Sequence, residues 1–368
     1  MNGSRRYSTL LDEKSSGKHW PLWPSDLLEI VTAANRDLES LRNARIFITG
    51  GTGYIGRWIL ETIRYANTKL ELGVSAVVLS REPEAFRQIH PELAQCPNFE
   101  FVKGDVRTFR EPGGEFSHVI HGATDVATSC DPLDLFSVTL NGTARVLEFA
   151  RMHSASRTLI LSSGAVYGAY ADTYLRVPES HRSTVNISSV NSAYALGKIA
   201  SEWLGYALAD RGAAHCSSAR IFAQVGPGLA LSGHYAAGNF IRDALQGRSV
   251  VIQGDGTAVR SYMYPTDLVV WLLAILVRGR SGQAYNVGSE EAVSIRQLAE
   301  TVSATATSGR SDVEVRGLHR SGAAPEVYVP DTSLARTEFG VAVTVPLSES
   351  LGRTIRWYSQ QFEGRLTS

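Results

Sequence analysis

The chain has 368 residues, 43% of them hydrophobic and 20% charged, with 36 basic side chains set against 36 acidic ones. This composition excludes disordered and fibrous classes, and the length suffices for one large core or two modest ones. With zero net charge spread along the sequence, no field of one sign draws in nucleic acid or an anionic membrane, so an anionic ligand must be held locally.

Behind a possible Ser25 cap, Leu27, Leu28, Ile30, Val31, Ala34, Leu38 and Leu41 recur at helical spacing, which predicts an amphipathic helix within an N-terminal extension, residues 1–44. Apolar runs follow at Arg45 to Thr49, Ala76 to Leu79, Phe99 to Val102, His118 to His121 and Thr158 to Leu161. Helical segments lie between and after them at Tyr54 to Tyr65, Leu135 to Met152 and Ala193 to Asp210. Strands separated by helices predict an α/β fold with a doubly wound parallel sheet, a Rossmann domain over residues 45–217. Beyond Arg220 glycine and proline punctuate shorter elements, which predicts a smaller C-terminal substrate-binding lobe over residues 218–368 whose chain can interleave with the first. Ser303 to Ser311 reads as a polar loop, and no internal repeat is visible.

Cys96, Cys130 and Cys216 are few, odd in number and far apart, which fits a reducing compartment, and no cysteine or histidine cluster suggests a metal. The first twenty residues lack the apolar core of a signal peptide, and Leu268 to Val277 is about half the ~20 residues of a membrane span, so the expected location is cytoplasmic.

Gly50, Gly53 and Gly56 in RIFITGGTGYIG stand directly after an apolar strand and at the mouth of a helix, where backbone amides can approach a pyrophosphate. Tight helix packing is the alternative use of such glycines. At the end of the second strand Ser80 and Arg81 replace the carboxylate that commonly holds an adenosine ribose, so they can accept a 2'-phosphate. Arg81 is equally readable as a solvated strand end, and NAD and NADP both stay open. On the predicted third helix Tyr194 and Lys198 form YxxxK, a spacing that puts both on one face, where the ammonium can lower the phenol's pKa and create a proton acceptor.

TGGTGYIG, LSSGAVYG, YxxxK and GDGTAVRSYMYPTDL, in this order, resemble the extended short-chain dehydrogenase/reductase family, and in particular its NAD-dependent epimerases and dehydratases of nucleotide sugars, over about Arg45 to Trp357. The resemblance implies a triad of Ser163, Tyr194 and Lys198. It implies cofactor contacts from Gly50, Gly53, Tyr54, Ile55, Gly56, Ser80, Arg81, Asp105, Val106 and Ala123, with Tyr194 and Lys198 also touching the cofactor. Ser162 and Ser163 could merely cap backbone groups, and Asp105 could cap a turn. For a nucleotide-diphosphate sugar it implies Thr124, Tyr167, Asn239 and Arg260, the last because a guanidinium pairs its donors with phosphate oxygens. Helix capping is the alternative for Asn239. Asn191, Ser192, His234 and Tyr235 are weaker pocket candidates, and exposed loop polarity explains them equally. Ala223 stands where the family's RxFNxYGP run has asparagine.

Gly164 and Ala165 occupy the positions at which 4,6-dehydratases of this superfamily carry an Asp-Glu pair and sugar-acid decarboxylases a glutamate, so both chemistries are disfavoured here. The expectation is a nucleotide-sugar epimerase that transiently oxidises a hydroxyl carbon, carbon 4 first among them. An NADPH-dependent 4-keto-sugar reductase is the alternative, and a non-catalytic NAD(P)-binding protein is the third reading. The family habit of pairing two helices per subunit implies a homodimer, formed here by Leu135 to Met152 and Tyr194 to Asp210.

Overall fold

The computed structural model describes residues 21–124, 131–169, 175–212, 214–233, 235–306, 312–318 and 325–366. Cys130 and His234 lie outside the described residues. Strands buried on both faces, rich in Ile, Val, Leu and Phe at the centre of the sheet, form the parallel core covered by helices on either side, while one edge strand alternates buried and exposed residues. These are β1 (Arg45–Thr49), β2 (Ser75–Ser80), β3 (Phe99–Lys103), β4 (His118–His121), β5 (Arg157–Ser163) and β6 (Cys216–Ile221). The short β7 (Val250–Ile252), β8 (Val259–Arg260), β9 (Ala284–Val287), β10 (Val293–Ser294), β11 (Val313–Val315) and β12 (Val327–Tyr328) follow. The main sheet runs β3-β2-β1-β4-β5-β6-β9, every pair parallel.

The described helices in chain order are α1 (Pro24–Ala33), α2 (Asn35–Ser40), α3 (Tyr54–Leu70), α4 (Pro83–Ile89), α5 (Pro91–Ala94), α6 (Pro132–Met152) and α7 (Ala193–Asp210). After them come α8 (Ala236–Leu245), α9 (Pro265–Arg278), α10 (Ile295–Ala306), α11 (Ser333–Phe339) and α12 (Leu347–Leu366). The run Leu268 to Val277 is a central part of α9, which is buried against the sheet, and among the described residues no helix is long and apolar enough to cross a membrane.

Four expectations are corrected. The extension holds two helices, because the chain breaks at Ala34; Trp23 and Pro24 start α1 without a side-chain cap from Ser25, and Leu28 is exposed. The boundary at 217/218 falls inside β6, and β9 and α9 return from the second lobe to complete the sheet, so the lobes interleave in sequence. Residues 303–306 belong to α10, where Ser303 is buried, rather than to a loop. Finally, Val106 spends its side chain in the core beside Phe47 and Phe149, against Gly142 of α6.

The second lobe has its own core, in which Phe240 and Ile241 of α8, Leu298 and Val302 of α10, and Leu351 and Ile355 of α12 meet. Two small sheets frame it, β11-β7 and β10-β8-β12. The extension is part of the first core. Leu22, Leu27, Ile30, Val31, Leu38 and Leu41 are all buried in the cluster that holds Trp271 and Leu272 of α9. At ~1.5–3 kcal/mol per large side chain, six of them contribute at most about 9–18 kcal/mol.

Charged clamps fix the extension's orientation. The carboxylate of buried Asp26 accepts from Tyr264 at 2.7 Å and from Arg353 of α12 at 2.8 Å, while Asp37 takes both Nε (2.7 Å) and Nη2 (2.9 Å) of Arg278 at the end of α9. Asp37→Ala removes one member of a largely buried pair, and the expected cost is about 2 kcal/mol, a fall in Tm of about 3–5 °C in a thermal melt. An unchanged Tm would mean that the extension is merely appended.

Candidate active site

β1 and β4 are neighbours from which the chain runs to opposite sides of the sheet, and their carboxyl ends open the crevice where doubly wound sheets take ligands. Backbone approaches backbone closely there. Gly50 has φ +74°, and a Cβ on it would lie 2.6 Å from the carbonyl carbon of Gly122, which follows β4. A Cβ on Gly56 would lie 2.4 Å from the Gly50 carbonyl oxygen, so the third glycine seats α3 on the turn. Gly53 is the N-cap of α3, supplies no capping side chain and is followed by no acid in the first turn. The first amides of α3, those of Tyr54 and Ile55 included, thus keep a cradle that suits a pyrophosphate.

The side chain of Tyr54 turns away from the crevice to the second lobe, where a Cβ on Gly226 would come within 2.9 Å of its hydroxyl, and burial holds its pKa well above the usual phenol range. Ser80 faces the turn, 3.2 Å from the Thr52 hydroxyl, while Arg81 is exposed. Asp105 does cap a turn. Its carboxylate accepts from the Arg107 amide at 2.8 Å and from the Arg107 guanidinium at 2.7 and 2.9 Å, and these bonds hold its pKa below the ordinary value. Ala123, half-buried beside Gly122, donates its amide to the Thr49 hydroxyl at 3.3 Å.

Across the crevice, β5 ends on Ser162 and Ser163, which a strand points to opposite faces. Ser163 lies close enough to the Tyr194 phenol to lower its pKa and accepts from the Ala165 amide at 3.1 Å, whereas Ser162 donates to Glu202. α7 presents Tyr194 and Lys198 on one face, with the Lys198 ammonium 5.8 Å from the Tyr194 ring centroid. Lys198 is 5% exposed and donates to the Leu161 carbonyl at 2.7 Å and to the Thr124 hydroxyl at 3.0 Å. Burial lowers its pKa to about 8, opposed by the negative charge of Glu202.

Tyr194 differs from expectation. Burial, with a smaller contribution from Tyr235, raises its pKa above the ordinary phenol value despite the lowering effect of Ser163, while the Lys198 ammonium donates to Leu161 and Thr124. Beneath them His121 bridges the hydroxyls of Thr49 (2.7 Å) and Thr143 (2.9 Å); burial and the Lys198 charge lower its pKa to about 3, so it is a neutral strut.

The second lobe closes the site with a residue the sequence reading missed. Tyr328 on β12 places its hydroxyl 3.5 Å from Ser163 Oγ, stacks on Phe222 and underlies Arg260, whose guanidinium carbon is 5.8 Å from its ring centroid. Arg260 donates to the Glu326 carboxylate at 2.8 Å. Asn239 lies one turn into α8 rather than at its cap, donating to the Gly233 carbonyl at 2.9 Å and accepting from Arg242 at 3.1 Å. Tyr167 as a sugar contact is corrected: it is 1% exposed, and its hydroxyl donates to Asn286 at 2.7 Å and accepts from Arg220 at 2.9 Å. Asn191 and Ser192 form a 3-10 turn leading into α7, and Tyr235 is 38% exposed.

The NAD dependent epimerase/dehydratase family matches residues 46–288. UDP-glucuronic acid decarboxylase 6 of Arabidopsis thaliana is 28% identical over 314 residues, 84% of this chain and 87% of the relative. An epimerase of Methanothermobacter thermautotrophicus shares the fold with a TM-score of 0.75 at 23% identity, over 92% of this chain and 98% of its own. The dTDP-glucose 4,6-dehydratase of Bacillus anthracis does so with a TM-score of 0.70 at 19% identity, over 87% and 98%.

These findings overturn the exclusion of decarboxylase and dehydratase chemistry drawn from Gly164 and Ala165 and with it the restriction to epimerase or ketoreductase. The physical reason is that two residues at one strand end do not settle the second half-reaction. Another element can bring a polar group to the same place, as β12 brings Tyr328 beside Ser163. A glycine cradle at the switch point, a Ser-Tyr-Lys constellation across it and a family match over most of the chain lead to one conclusion: the chain belongs to the NAD-dependent epimerase/dehydratase family.

Proposed function

We propose that the chain catalyses a redox-neutral reaction on a nucleotide-diphosphate sugar that begins with oxidation of a hydroxyl carbon, carbon 4 first among them, to an enzyme-bound ketone. The observation that carries the reading is the cluster of Ser163, Tyr194 and Lys198 opposite the glycine cradle. A bound nicotinamide supplies the hydride acceptor and a positive charge beside the phenol. Gly50, Gly53, Gly56 and the first amides of α3 hold its pyrophosphate, and Ser80 and Arg81 stand nearest the adenosine ribose, an environment that takes either NAD or NADP.

Tyr194 takes the hydroxyl proton, Ser163 donates a hydrogen bond to the oxygen on which charge develops, and Lys198 stabilises the phenolate. Arg260 pairs with the substrate diphosphate after exchanging its bond to Glu326. Epimerisation, in which the ketone is reduced on its other face, needs no further acid or base.

A second reading is supported by the curated relatives, which are UDP-glucuronic acid decarboxylases. A 4-keto uronic acid is a β-keto acid. When its C5–C6 bond breaks, carbon dioxide leaves and the bonding pair passes into the ketone, giving an enolate that Ser163 and Tyr194 stabilise before carbon 5 takes a proton from water; the remaining 4-ketone then takes back the hydride and the Tyr194 proton, which closes the redox balance. This route likewise asks nothing of positions 164 and 165.

Incubation of the purified chain with UDP-glucose, UDP-glucuronate and their dTDP, GDP and CDP counterparts distinguishes the outcomes. NMR and mass spectrometry of products are expected to show an epimer, or loss of carbon dioxide from the glucuronate, with no net change in nicotinamide absorbance. Stoichiometric loss of NADPH with a 4-keto sugar, or no conversion of any sugar nucleotide, would overturn the proposal. Tyr194→Phe is expected to lower kcat by about 10²–10⁴ while cofactor is retained.

We also infer a homodimer through α6 and α7. Trp203 and Tyr206, three residues apart on one face of α7, are 64% and 55% exposed, a large apolar surface for a lone subunit. Light scattering is expected to give twice the 40.0 kDa chain mass and a single chain mass for Trp203→Glu. A wild-type mass of one chain would remove the dimer.

A further inference from the structure

Behind the catalytic strand, on the side away from the crevice, lies a second polar cluster that the reaction itself does not use. Glu202 stands one turn beyond Lys198 on α7, with 11% of its side chain exposed. Its carboxylate accepts a hydrogen bond from Ser162, next to Ser163, and is gripped by Arg220 of β6 through Nη2 at 2.7 Å and Nε at 3.1 Å. Arg220 in turn donates to the Tyr167 hydroxyl at 2.9 Å and to the Glu179 carbonyl at 3.1 Å. One carboxylate therefore touches the end of β5, the end of β6 and the helix that carries Tyr194 and Lys198.

We propose that Glu202 is a positioning residue: by tying Ser162 to α7 it sets the distance at which Ser163 meets Tyr194, and it is the counter-charge of the Lys198 ammonium. A one-ångström error between Ser163 and Tyr194 would separate a donor from the oxygen it must stabilise, and Ser162 ties the end of β5 to α7 beside the bond from Lys198 to Leu161. The charge argument follows from what surrounds Lys198. β4 offers neutral His121, the following loop offers the Thr124 hydroxyl, α7 itself offers Tyr194, and Glu202 is the carboxylate that acts on it. Around Glu202 the facing groups are Arg220, Tyr167 and Glu179.

The positioning of Ser163 rests on the proposed reaction, so the first readout is independent of activity. The chain has five lysines, Lys14, Lys18, Lys69, Lys103 and Lys198, and lysine labelled with carbon-13 at Cε gives a spectrum simple enough to titrate in the cofactor-free full chain, with Lys198→Arg identifying its resonance. Lys198 is expected to titrate near pH 8. Glu202→Gln is expected to lower that midpoint by ~1 unit, since the charged form loses its counter-charge, whereas Ser162→Ala is expected to leave it in place. Ser162→Ala is then expected to lower kcat about tenfold at unchanged KM on the substrate found above, and Glu202→Asp, which shortens the reach but keeps the charge, to hold the midpoint and lose kcat. A Lys198 midpoint unmoved by Glu202→Gln overturns the charge role. Full kcat in Ser162→Ala overturns the positioning role, even if Glu202→Gln fails to fold. Loss of these effects with normal turnover condemns the inference alone, and absence of turnover in the wild type condemns the proposed reaction alone.

Discussion

The site depends on how a single buried cation is held. Lys198 has almost no contact with water, yet its ammonium has three donors to satisfy, and leaving a charged donor unsatisfied in such a place costs several kcal/mol. The Leu161 carbonyl meets this need from two residues before the end of β5, the Thr124 hydroxyl from the loop after β4. Satisfying one charge thereby locks together β5, the loop beneath the cofactor crevice and α7. Tyr194 keeps a pKa raised by burial, and the cation is anchored to oxygens other than the phenol's. In the cofactor-free chain Lys198 therefore gives up its proton more readily than Tyr194, the reverse of the order the chemistry requires. A bound nicotinamide would add a positive charge to the site, and such a charge would favour the phenolate of Tyr194.

Local features of this arrangement were legible in the sequence. The glycine turn was readable because a left-handed residue and two close backbone approaches admit little else, and those demands fall within seven residues. Tyr194 and Lys198 were readable because helical periodicity converts a spacing of four into a shared face. β1 and β4 were placed within their observed bounds because a strand buried on both faces leaves a continuous apolar run.

What was not legible joins distant parts of the chain. Tyr328 reaches Ser163 across 165 positions, through a two-residue strand with no pattern of its own. Tyr167 looked like a pocket residue because it follows the catalytic serine, but the aromatic ring of Phe222 and the polar atoms of Arg220 and Asn286 claim it for the interior. The lobe boundary failed for the same reason: β9 completes the first sheet from within the second lobe's sequence, and no local signal marks a strand that returns. Glu202 sits four residues after Lys198, in plain view as another i, i+4 partner, and only its contacts to Ser162 and Arg220 distinguish it from a solvated helix carboxylate.

Two arginine–glutamate pairs near the site look alike on paper, and burial separates their roles. Glu202 and Arg220 leave 11% and 16% of their side chains exposed, so parting them would strand a charge in the interior at a cost of about 3–5 kcal/mol. Arg260 is paired with Glu326, which is 69% exposed, and a pair of that kind contributes about 0–1 kcal/mol because water readily takes over the glutamate. On the proposed reading a diphosphate, with two negative groups and bidentate geometry, would displace Glu326 at little cost and leave Arg220 in place. The first pair is therefore architecture, and the second is a cation held ready for exchange. Since Arg260 lies over Tyr328 and Tyr328 beside Ser163, a ligand held by Arg260 would lie next to the Ser163 hydroxyl.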